Sequence, residues 1–136
     1  ATKTIKVTRL SFTGTQTTGA VRDVLYIKRS TANTGGTLTT MAGVPHDSAI
    51  NAAATAIVRA YTGNPTTLGT AVGTVRARKV FVSGSGVVLD DFNVNFGSNG
   101  IQPIILRGTA ELLCVNLNSV ASPGGSVNIS VEWTEE

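Results

Sequence analysis

The clearest hydrophobic pattern lies near the C-terminus. Along residues 126–134, Val127, Ile129, Val131 and Trp133 fall on one face, and Asn128, Ser130, Glu132 and Thr134 fall on the other. A strict period of two marks a half-buried strand. Residues 111–117 precede it, with Leu113, Val115 and Leu117 on one face and Leu112 and Cys114 opposite. Apolar residues on both faces predict a central strand. Residues 118–125 between them are rich in turn formers. The pattern therefore predicts a C-terminal antiparallel hairpin within residues 104–134.

Upstream the same reading gives a series of shorter strands. Residues 4–10 place Ile5 and Val7, with Arg9 as a further candidate, against Lys6, Thr8 and Leu10; Phe12 extends the run. Residues 13–20 read as a Thr/Gly-rich loop. Residues 21–29 set Val21, Asp23, Leu25 and Ile27 against Arg22, Val24 and Tyr26. That imperfect alternation predicts contacts on both faces or a bulge. Residues 30–53 form the longest stretch without a clean pattern, the first place to seek binding contacts. Residues 49–56 have room for one helical turn.

A third strand follows over 55–61, with Ile57, Arg59 and Tyr61 opposite Val58 and Ala60. Residues 68–72 are a short strand. Residues 73–82 are a better one, with Val75, Ala77 and Lys79 against Arg76, Arg78, Val80 and Val82; Phe81 mixes the faces. Residues 83–86 are a plain turn that precedes no helix, so they are no phosphate cradle. Residues 87–90 are a brief strand. Phe92, Val94 and Phe96 alternate as an edge strand within 91–100. Residues 101–107 are a strand with Gln102 and Pro103 marking an edge or bulge. About eight strands at this spacing predict one all-β domain over 1–136, a two-sheet antiparallel sandwich. A jelly roll fits the count first, and an immunoglobulin-like sandwich second.

Composition supports the class. Charged residues make up 14% of the 136 residues, against ~25% in an average soluble domain. Thr, Ser, Gly, Asn and Val dominate, which favours strands and turns over helices. Such a low-charge surface is easily desolvated. It suits a protein in lasting contact with a partner, and equally a sandwich with many short loops. The net charge of +3 is weakly basic. The nearest approach to a basic cluster is Arg76, Arg78 and Lys79, with no interleaved aromatic residues for base stacking. Direct nucleic-acid binding is not expected. Lys3, Lys6 and Arg9 make one end basic, and Glu132, Glu135 and Glu136 make the other acidic. These charges complement each other if the first and last strands are neighbours. A lone cysteine, Cys114, cannot form an internal disulfide and reads as a buried structural thiol. No apolar h-region follows Ala1, the residue that methionine removal leaves after cytoplasmic translation. No apolar run approaches the ~20 residues that span a bilayer, so no membrane partner is expected.

Candidate chemistry is sparse. His46, Asp47 and Ser48 are consecutive, whereas triad members come from separate segments and meet in space. An Asx-type turn after Pro45 accounts for them better. A single histidine leaves too few ligands for a zinc site, and no loop has the calcium pattern. Asp90 and Asp91 are adjacent, which on a strand sends them to opposite faces. Tyr26, Tyr61 and Trp133 would make a sugar platform only outside the core, and alternation assigns Trp133 to the core. The reading is therefore not an enzyme, with no catalytic, cofactor-binding or metal-ligating residues.

Residues 107–118, Arg-Gly-Thr-Ala-Glu-Leu-Leu-Cys-Val-Asn-Leu-Asn, and 124–136, Gly-Gly-Ser-Val-Asn-Ile-Ser-Val-Glu-Trp-Thr-Glu-Glu, resemble the C-terminus of small virion proteins of tailed bacteriophages. Residues 28–36, 44–48 and 58–62 look similar too, so the likeness covers most of the chain after about Val21. It is nearest to jelly-roll capsid cement (decoration) proteins of short-tailed phages such as the Bordetella podophage. The resemblance implies a homo-oligomer, a dimer or trimer, made in the host cytoplasm. It would sit on the outer surface of the capsid and tie neighbouring copies of the major capsid protein together. The expected partner contacts are Asn33, Met41, Val44 and His46 in the 30–48 stretch, and Arg76, Arg78 and Lys79. The N-terminal segment is a third candidate, since chain ends often become ordered on docking. The alternatives are a tail or fibre module that binds a host receptor or glycan, and an internal head component, which should be more basic.

Overall fold

A computed structural model describes residues 3–47, 49, 54–84, 90–98, 100–118 and 125–136. Nine strands follow in order: β1 (Ile5–Thr15), β2 (Ala20–Arg29), β3 (Thr37–Met41), β4 (Val58–Gly63), β5 (Ala71–Val82), β6 (Phe92–Asn95), β7 (Ile104–Leu106), β8 (Leu112–Asn116) and β9 (Ser126–Glu135). The protein is all-β. β1 is the hub of a four-stranded sheet, paired with β6 and β7 and with β9, all antiparallel. A three-stranded antiparallel sheet of order β5-β2-β8 packs on it. This sandwich matches the expected class. Its strand order does not establish the jelly-roll wiring suggested by the strand count.

The core lies between the sheets. Ile5, Val7, Leu10 and Phe12 of β1 meet Val24 and Tyr26 of β2, Val80 and Val82 of β5, and Phe92, Phe96 and Ile104. The Tyr26 ring stacks on Phe92 with centroids 4.5 Å apart, and its hydroxyl donates to the Phe92 carbonyl at 2.7 Å. The tyrosine thus buries a large ring without leaving its hydroxyl unsatisfied.

Several expectations change for one reason, a bulge. In β1 the β9 register passes from Val7↔Trp133 to Arg9↔Glu132, leaving Thr8 as the extra residue. One inserted residue exchanges the faces of everything after it. Leu10 and Phe12 therefore join Ile5 and Val7 in the core instead of opposing them. The strand also runs on through Thr15, where a loop was expected. Register shifts after Tyr26 and after Lys28 in the β2–β5 pair match the bulge expected in that strand. Residues 68–72 and 73–82 are not two strands, since β5 starts at Ala71 and continues to Val82. Residues 87–89 lie outside the described residues, as do Ser48 and 50–53. The expected brief strand over 87–90 and most of the helical turn over 49–56 therefore cannot be placed.

The predicted C-terminal hairpin does not form. β8 pairs with β2, and β9 pairs with β1 in the other sheet. β9 therefore lies in the other sheet and not beside β8. Nor is β8 central: it edges its sheet, and all five of its residues are half-buried. Period-two alternation names no partner strand, and two edge strands on opposite sheets satisfy it as well as a hairpin does; of the expected buried face of β9, Val127 and Ile129 in fact stand exposed.

Between β2 and β5 the chain makes an arm. β3 and β4 pair with each other, from Thr37↔Gly63 to Met41↔Val58, and with neither main sheet. β3 falls in the stretch without a pattern because all five of its residues are exposed, so burial imposes no alternation. Gly36 makes the turn into the arm at φ 77, where a Cβ would meet the Gly63 carbonyl oxygen at 2.5 Å. Only glycine suits that backbone.

Candidate functional site

The arm is tied to the sandwich at both ends. At its base, Thr34 and Thr67 exchange backbone hydrogen bonds, and Ser30 N–H donates to the Thr70 carbonyl. Asn33 Oδ1 accepts from Gly69 N at 2.9 Å, and its amide faces Cys114 Sγ at 3.7 Å. Beside it, buried Arg29 donates to the Gly69 carbonyl. Burial pushes the Cys114 thiol up, while Arg29 and Asn33 act in the opposite direction. Asn33, an expected contact, is half-buried and braces the base of the arm. The thiol is half-buried.

The far end folds back on β9. Gly43 lies flat on the Trp133 ring, close enough that a Cβ would sit 2.7 Å from the indole. Glu135 grips the bend before β4. Its carboxylate accepts from Thr55 N, Thr55 Oγ1, Ala56 N and Trp133 Nε1 at 2.7–3.0 Å. Burial alone would raise this carboxyl. The Ala56 and Thr55 amides, the Thr55 hydroxyl and the Trp133 indole outweigh it and hold it at about 2. Lys3 adds a more distant charge at 3.9 Å.

Two adjoining hollows result. One, of about 330 Å³, is walled by Thr40, Met41, Ala42, Gly43, Ala54, Ala56 and Ile57. The other, of about 490 Å³, lies between Val44, Pro45, His46 and Asp47 on one side and Val131, Trp133 and Glu135 on the other. Asp47 Oδ1 accepts from Ala49 N at 2.9 Å, the Asx turn expected after Pro45. Val44 and His46 thus share the second hollow, a groove beside Trp133, and Met41 lines the first, which meets it at Gly43 and Ala54. Met41 and Ile57 beside the first hollow and Val44 beside the second carry exposed apolar side chains, Val44 at 84% and Ile57 at 60%, and Leu38 is exposed on the other face of β3.

The basic group does not come together. On β5, Arg78 pairs with Asp90 at 3.0 Å and donates to the Asp91 carbonyl. Arg76 lies over the Phe96 ring at 5.9 Å. Lys79, one residue from Arg78, takes the opposite face and pairs with Asp23 at 2.7 Å. Alternation splits them, and each has a local partner. By contrast, the complementary chain ends do meet: Lys6 pairs with Glu136 and Arg9 with Glu132 across β1 and β9.

Sequence reading missed three participants. Ile57 was placed in a strand and instead stands exposed before β4. Trp133 was assigned to the core; it packs against the core's edge and also lines the groove. Glu135 gave no signal, because its donors are backbone amides 79 and 80 residues away. Among the described residues, no three His, Cys, Asp or Glu side chains gather as a metal site. Comparison with protein-family models, curated proteins and solved structures finds no match to this chain.

Proposed function

We propose that this protein is a structural binding module of a phage virion, a cement protein on the outside of the capsid that bridges neighbouring major capsid proteins. The observation that carries the reading is the arm. It pairs with neither main sheet, projects an apolar set of Leu38, Met41, Val44 and Ile57, and is braced at base and tip. A braced arm loses little conformational freedom on docking. Burying one such side chain fully contributes about 1.5–3 kcal/mol. Several modest contacts made by one oligomer on a lattice then add through effective concentration. The low-charge surface and the resemblance to phage cement proteins point the same way, and jelly-roll wiring remains part of that resemblance.

A second reading, a tail or fibre module for a host receptor or glycan, draws on Trp133 beside His46, Asp47 and Glu132 in the groove. The test is cosedimentation with purified capsids of the parent phage from which this protein has been stripped. Wild type should bind. Met41→Asp with Ile57→Asp should bind at least about tenfold more weakly while melting normally, since exposed substitutions change stability by only about 0.5 kcal/mol. Equal binding by the double variant would remove the arm from the interface. No binding by wild type would remove the cement reading.

A further inference from the structure

The edges of the two main sheets are not treated alike. β6, β7 and β8 are four, three and five residues long. β5 is twelve residues long, but it carries Arg76, Arg78 and Lys79 and is broken by bulges against β2. Short length, charge and bulges are the usual devices that stop a sheet edge from pairing with another chain. β9 has none of them in its first half. It is ten residues long, and no charged residue or proline occurs from Ser126 to Val131. It pairs with β1 in continuous register from Glu132 to Ser126, so this half has no bulge.

This half is also open. All five residues from Ser126 to Ser130 are exposed, on both faces of the strand. Val127 is 37% and Ile129 50% exposed, although their partners Gly14 and Phe12 are buried. Among the described residues, β9 pairs only with β1. Half of its backbone N–H and C=O groups therefore point outward with no strand to meet them.

We propose that the Val127–Val131 edge of β9 pairs antiparallel with the same edge of a second copy, about a two-fold axis near Ile129. The segment is complementary to itself in that arrangement. Val127 faces Val131 of the second copy, Asn128 faces Ser130, and Ile129 faces Ile129, so apolar meets apolar and polar meets polar. The acidic end decides the direction. Antiparallel pairing sends Glu132 and Glu135 of the two copies to opposite ends, whereas parallel pairing would stack like charges directly. An isologous contact of this kind closes at two copies and blunts the edge. The two four-stranded sheets become one sheet. The inference stands on the strand edge alone and does not depend on the capsid reading.

Sedimentation velocity of the full chain over a concentration series tests it, beside Ile129→Lys and, in a Cys114→Ser background, Ile129→Cys. Wild type should sediment as a dimer. Ile129→Lys should raise the dimer dissociation constant at least about tenfold, with its far-ultraviolet circular dichroism unchanged. Ile129→Cys should form a disulfide-linked dimer under mild oxidation, because the two-fold places residue 129 opposite itself. Thr39→Cys, on exposed β3 in the same background, should not. A monomeric or trimeric wild type would overturn the proposal. So would a folded Ile129→Lys that dimerises as wild type does, or cross-linking no faster at residue 129 than at residue 39.

Discussion

Glu135 is where the fold can be tested with one substitution. Glu135→Gln keeps the size and one acceptor oxygen but replaces the charge with an amide donor. That donor faces the N–H groups of Thr55 and Ala56 and the indole N–H of Trp133, which need an acceptor. Between an ordinary value of 4.5 and the folded value of about 2, the difference corresponds to about 3 kcal/mol favouring the charged form in the folded state. Thr55 is exposed, so water recovers part of this when the charge is lost. The expected cost is about 2 kcal/mol, or about 7 °C in Tm for a domain of this size. The sign with pH follows from the lowered value. The contribution is complete above the unfolded pKa of 4.5 and is lost as pH falls through about 2. The gap between wild type and variant should therefore be constant from neutral pH to about pH 5, shrink below that, and close near pH 2. Thermal melts by circular dichroism at several pH values read the gap. Amide exchange should show Thr55 and Ala56 losing protection in the variant at neutral pH. Equal melting temperatures at neutral pH, or a gap that persists unchanged to the acid end, would refute the role of this carboxylate.

Three further perturbations address other joints. Tyr26→Phe removes the hydroxyl bonded to the Phe92 carbonyl and should cost about 1–2 kcal/mol in urea unfolding, with the ring stack intact. Gly43→Ala places a methyl against the Trp133 ring and should lift the arm tip. Because Trp133 is the only tryptophan, its emission should move to the red and quench more readily with iodide. Cys114 is half-buried with its thiol pushed up, so at neutral pH it should react with an aromatic disulfide reagent far more slowly in the native protein than in denaturant.

The strands were legible in the sequence where one face is buried, as in β2 and β6, and in β9 the alternation was there although its first half is exposed on both faces. Pairing partners were not, because alternation carries no information about which strand lies alongside. β8 and β9 show the consequence: both were recognised as strands, and they belong to different sheets. A single bulge at Thr8 was enough to misplace Leu10. The arm was invisible as a strand pair for the opposite reason, since an exposed β3 has no face to bury. The site was half legible. Met41, Val44 and His46 were marked by their place in an unpatterned stretch; Val44 and His46 share one hollow and Met41 lines the adjoining one. Asn33 lay in the same stretch and is a strut, while Arg76, Arg78 and Lys79 divide between two faces. Trp133 and Glu135 lie far along the chain from residues 43 and 55, and only the fold brings them there.

We propose that the protein coats a capsid through its arm. The most direct measurement is the band-intensity ratio of this protein to the major capsid protein in purified particles of a phage whose genome carries its gene. A lattice-wide cement predicts a ratio near one. A ratio of a few per cent would contradict it and place the protein in the tail, with the groove beside Trp133 as the surface to follow.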